Sequence, residues 1–173
     1  MNATKPMIAT VAIVLGTTTF AGEASADVGP WKPFPTGVTK TYDPKVVCPF
    51  GLHAEVIQDD ELGREFTDES GNVVAVEIVG SLVFRFTNMA TGKSVVRDAN
   101  GHGWTFNHPD KSQTLTCVGP FAAASREGQH PPNFPTGYYI LSGVTVIEIP
   151  ANGPYSIAYT APIENICETL ASP

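Results

Sequence analysis

From Cys48 onward the chain alternates. Apolar residues fall at every second position in short runs, and each run is closed by Gly, Pro, Asn, Asp or Ser. A period of two sends successive side chains to opposite faces, so the pattern predicts half-buried β-strands. The strands expected are Leu52–Gln58, Val73–Val79, Leu82–Thr87, Ser94–Asp98, Gly103–Asn107, Gln113–Val118, Tyr138–Ile149 and Tyr155–Thr160. Turn chemistry separates them: "DESGN", "TNMATGKS" with Gly92 free to take a positive φ, "DANGHG" and "NHPDKS". The long run "YYILSGVTVIEI" is expected to bend at Gly143. "FAAASR", Phe121 to Arg126, fits a strand or a helical turn equally. Pro162 is well placed to open a short helix in "APIENICETL". The fold class expected is all-β: an antiparallel β-sandwich or flattened β-barrel with a short C-terminal helix, residues 48–173 forming one domain.

The N-terminus departs from this pattern. Lys5, the apolar "MIATVAIVLG" and the small residues Ala24, Ser25 and Ala26 make the three parts of a secretory signal peptide over residues 1–26. The apolar run is shorter than the ~20 residues a bilayer span needs. The expectation is therefore a secreted, extracellular protein with no membrane span. Cleavage would leave 147 residues (173 less the first 26), enough for a domain with a hydrophobic core. Residues 27–47 carry four prolines and read as an extended arm, with Trp31 and Phe34 as its anchors.

The net charge of −7 argues against a nucleic-acid partner, which calls for a basic face. Three cysteines entering an oxidising compartment imply one disulfide and one thiol. Any of three pairs is open. Cys48–Cys167 is preferred, because it would pin both ends of the domain; Cys117 then reads as a small buried hydrophobe.

The chain over most of Cys48 to Leu170, and the stretch from Phe66 to Pro120 above all, resembles a group of small secreted actinobacterial proteins of unknown function. The matching motifs are Cys48, Pro49 and Phe50; then Thr87, Asn88, Thr91, Gly92, Lys93 and Ser94; and finally Asn165, Ile166, Cys167 and Leu170. The resemblance implies a β-rich exported domain with its terminal cysteines paired. It implies no activity, ligand or cofactor.

Candidate chemistry is sparse. In "GHGWTFNHPD" the residues His102, Trp104, Phe106 and His108 share one face of an extended strand. The two histidines are then about 20 Å apart at ~3.3 Å per residue, too far to share a metal. Trp104 and Phe106 read as core or half-core, and His108-Pro109-Asp110 as a turn. The acids Asp59, Asp60, Glu61 and Glu65 read as a solvated loop. A calcium role is the lesser reading, since the glycine and distal glutamate of a calcium loop are missing. No nucleophile elbow, P-loop or dinucleotide fingerprint occurs, so no catalytic residue, metal or cofactor is assigned. The loop Arg126–Gly137 is the longest, and proline stiffens it. His130, Asn133 and Phe134 in it, with Tyr138 and Tyr139 just after it, are the ligand-binding candidates. The function expected is that of a non-catalytic binding module whose partner is a cell-envelope glycan or another protein. The alternatives are a hydrolase using carboxylates or an unrecognised metal site, and a proteinase-inhibitor-like domain presenting its proline-rich loop.

Overall fold

The computed structural model describes residues 27–126, 134–153, 155–159 and 163–171. The expected leader, residues 1–26, lies outside them. In chain order the elements are β1 (Asp27–Val28), β2 (Lys32–Pro33), β3 (Lys40–Tyr42), β4 (Leu52–Asp59), β5 (Leu62–Thr67), β6 (Val73–Val79), β7 (Leu82–Asn88), β8 (Ser94–Asp98), β9 (His102–Asn107), β10 (Gln113–Val118), β11 (Phe121–Ser125), β12 (Gly137–Leu141), β13 (Val144–Ile149), β14 (Ser156–Tyr159), β15 (Ile163–Asn165) and α1 (Ile166–Ala171). Three antiparallel sheets result, none of them a closed barrel. The large sheet runs β1-β5-β6-β9-β10-β13-β14, with β2 also on β5. The other two run β3-β4-β7-β8 and β11-β12-β15.

The sheets share bent ribbons. β4 pairs with β7 and β5 with β6. Because β5 follows β4 and β7 follows β6, the pair bends together from the four-stranded sheet into the large one. β8 and β9 repeat the bend at Ala99–Gly101. β10 pairs with β13 and β11 with β12, so a second ribbon bends from the large sheet into the three-stranded one. Strands that change sheets at a bend are how packed sheets make corners. At the second corner Gly119 takes φ 102°, and its N–H donates to the Gly143 carbonyl at 3.0 Å. At the first, Gly80 takes φ 132°, and a Cβ there would stand 2.5 Å from the Asp60 carbonyl oxygen. No other residue fits that position.

β12 is buried at every position. Tyr138 and Ile140 join Leu52, Phe84 and Phe86 of the four-stranded sheet, together with Ile166 and Leu170 of α1. Tyr139 and Leu141 join Phe134, Ile147 and Ile157 against the large sheet. The three-stranded sheet is thus the middle layer at this end. Cys48 and Cys167 form a disulfide across a sequence separation of 119 and tie the start of the β4 segment to α1. Cys117 is free and buried. No helix among the described residues is long and apolar enough to cross a membrane.

Three expectations shift. Phe121–Ser125 is a strand. Leu62–Thr67, expected inside an acidic loop, is also a strand, paired with β6. The helix starts at Ile166, not at Pro162, because Ile163–Asn165 pairs with β12 and Asn165 Oδ1 caps the helix by accepting the Cys167 N–H at 3.0 Å.

Candidate functional site

Residues directly opposite each other in antiparallel strands point the same way. Along the large sheet one row therefore reads Arg64, Glu77, Trp104, Thr116, Val146 and Ala158. The next reads Phe66, Ala75, Phe106, Thr114, Glu148 and Ser156. Neither row enters a core cluster; together they form the outer face.

A polar centre is set among aromatic rings on this face. The Arg64 Nε–H donates to Glu77 Oε2, and His102 Nε2 lies 2.7 Å from Glu77 Oε1. The Arg64 guanidinium sits 4.6 Å from the Trp31 ring centre and 5.4 Å from that of Phe66. The His102 and Trp104 rings pack with centroids 3.7 Å apart. Glu77 is only 7% exposed, whereas Trp31 and Phe106 are each 41% exposed. Burial pushes the Glu77 carboxyl up, but the hydrogen bonds and charges of Arg64 and His102 outweigh it and hold the group below the ordinary 4.5. The site is an ionised carboxylate clamped by two cationic or polar partners and rimmed by rings.

The parity expected for Gly101–Asp110 holds, but Phe106 is not a core residue and Trp104 is half-buried on the outer side. The inward positions of β9 are Gly103 and Thr105. Alternation fixes which residues share a face; it does not say which face is covered. His108 to Ser112 forms the turn, with the His108 N–H donating to the Ser112 carbonyl at 2.9 Å.

The loop candidates fare differently. His130 and Asn133 lie outside the described residues. Phe134, Tyr138 and Tyr139 are 0%, 6% and 4% exposed. Tyr138 packs on Phe86 with centroids 4.8 Å apart, and the Tyr139 hydroxyl donates to the Pro135 carbonyl at 3.0 Å. These three rings hold the middle layer and offer no surface. The run "GYYIL" does not alternate because both faces of β12 are covered.

The acids are not a free solvated cluster. Glu61 Oε2 accepts the Thr36 N–H and hydroxyl, and Asp59 Oδ2 accepts the Gly37 N–H at 2.8 Å. They clasp the proline-rich arm as it crosses from β2 on the large sheet to β3 on the four-stranded one. Glu65 is exposed, and Asp60 accepts from Gln58 at 2.7 Å. Among the described residues no group of three His, Cys, Asp or Glu could hold a metal ion. His53 bonds Thr41, His102 meets Glu77, and the Asp110 carboxylate accepts the Ser112 N–H. Burial, with the Glu61 charge behind it, pushes the Cys117 thiol up to about 11, which leaves it without thiolate character at neutral pH.

Sequence reasoning passed over Arg64 and Glu77. For Glu77 the signal was present, a lone charge inside the apolar strand "VVAVEIV"; Arg64 sits beside Glu65 in "LGREFT", where nothing in the pattern sets it apart. Comparison of the chain with protein-family models, with curated proteins and with solved structures gives no match in any of the three.

Proposed function

We propose that the chain is an exported, non-catalytic protein that binds a glycan at or outside the cell envelope through the outer face of the large sheet. The observation that supports this reading is the grouping of Trp31, Phe66, Trp104 and Phe106 around the Arg64–Glu77–His102 centre on a partly exposed sheet face. Aromatic rings present flat apolar surfaces beside polar groups, the combination that suits a sugar ring with its C–H face and hydroxyl edge. Export is supported by the three-part leader pattern, by the disulfide and by the resemblance to secreted proteins.

A two-carboxylate glycosidase is the less favoured reading. The other carboxylate of the outer rows, Glu148, stands three strand steps and one row from Glu77, or about 16 Å at ~4.8 Å per step and ~3.3 Å per residue. The two mechanisms of glycoside hydrolysis need about 5–9.5 Å.

Residues 27–173 mixed with insoluble cell wall and a panel of polysaccharides are expected to be depleted from solution, and a soluble sugar to reverse the depletion. Trp31→Ala and Phe106→Ala should each weaken binding by about 1–2 kcal/mol with the fold intact. Depletion that ignores both substitutions would exclude this face; no depletion on any surface would remove the glycan reading.

A further inference from the structure

The corners of the bent ribbons enclose a space. Behind the large sheet, on its inner face, lies a cavity of about 320 Å³. Ile78, Leu115 and Gly103 line it from the large sheet, Leu82 and Phe121 from the two smaller ones, and Phe34 from the arm. Small-molecule sites are concave, mainly apolar and furnished with a few placed polar groups, at about 300–1,000 Å³. This cavity has that make-up. Its polar groups include the Glu61 carboxyl and the Cys117 thiol. Glu61 Oε2 is engaged by Thr36, and the Asp59 carboxyl lies against the Glu61 carboxyl and adds a second negative charge beside it. Gly103 makes the notch. A Cβ there would meet only Cys117 Sγ at 3.5 Å and Ile78 Cβ at 4.0 Å, both ordinary contacts. The space is therefore not forced by backbone crowding, and a larger residue would shrink it.

We infer that this cavity is a second binding site, distinct from the outer face, for a small apolar molecule whose hydrogen-bond-donating head, an amine or hydroxyl, meets Glu61. Phe34 and Thr36 of the arm stand at its edge, so the clasp that holds the arm also positions the head-group partner. An anionic head would face the Glu61 carboxylate and be disfavoured.

The probes are n-alkylamines, n-alkanols and n-alkanoates of matched length, titrated into residues 27–173 and followed by amide NMR shifts and calorimetry. Saturable shifts are expected at Gly101, Gly103 and Cys117. Affinity should rise about fourfold per methylene until the cavity is filled, with amines and alkanols ahead of alkanoates. Gly103→Ala and Gly103→Val should weaken all three series stepwise, and Glu61→Gln should erase the amine preference. Absence of saturable shifts, or alkanoates binding as well as amines, would overturn the inference. So would affinities indifferent to Gly103→Val in a protein with a native spectrum. The outer-face reading stands or falls separately, since none of these substitutions touches it.

Discussion

Two buried polar groups illustrate how an environment decides what a residue is worth. Thr145 lies on the inner face of β13, and its Oγ1 is buried without a hydrogen-bond partner among the described residues. A hydroxyl in that position has lost water and gained nothing. Thr145→Val is expected to stabilise the protein by about 1 kcal/mol in urea unfolding; a loss of stability would mean the hydroxyl has a partner after all. Glu61 is a different case. Burial raises its pKa above 4.5 more than the Thr36 bonds lower it. The folded state therefore holds this proton more tightly than the unfolded chain. Stability from this group is full below pH 4.5 and declines as pH rises through the folded pKa. Glu61→Gln, whose amide oxygen can still accept from Thr36, should match the parent at pH 4 and exceed it at pH 7. If the variant instead falls behind the parent as pH rises, the charge itself is what holds the arm.

Among elements, the corners carry most of the instruction. Gly80→Ala places a methyl against the Asp60 carbonyl at a φ that L-residues rarely adopt, and should cost about 1–3 kcal/mol. Gly92→Ala, in an open turn at φ 74° with nothing within 4 Å, meets only the backbone cost and should lose less. Equal losses in chemical denaturation would show that the corner contact is not what matters. The strands β6, β8 and β10 were legible to the residue because one of their faces is covered and turn residues bound them. β5 was hidden by the charges that precede it, and the join of β12 to β13 read as one bent strand because Ser142 and Gly143 are too short a break to register in a hydrophobic pattern. The binding candidates at Phe134, Tyr138 and Tyr139 misled for a related reason. Aromatic residues beside prolines look alike whether they project from a loop or anchor it to a core, and only the packing of β12 between two layers distinguishes the cases.

For the molecule as a whole, the Cys48–Cys167 bridge closes nearly the entire described chain, and in the chain-entropy treatment a loop of that length contributes about 4–5 kcal/mol. Replacing both cysteines by serine should lower the unfolding free energy by that order. Non-reducing mass spectrometry of the intact protein should find this single bridge and an unmodified Cys117. The sequence indicated this pair on the ground that it joins the ends. It could not show that one partner would sit beside a helix cap, or that Trp31 would reach across to Arg64. Those depend on how three sheets share their ribbons.

The same bridge sets an order of events. In any chain delivered N-terminus first, Cys48 appears before Cys117, and Cys117 appears before Cys167. The first thiol that Cys48 can meet is the wrong one. Correct oxidation therefore depends either on β10 settling with Cys117 turned inward before the last residues arrive, or on reshuffling afterwards. Cys117→Ala removes the competitor. It should raise the fraction of correctly bridged protein during oxidative refolding while leaving the native fold alone, and an unchanged yield would show that the strand is seated early enough to need no such help.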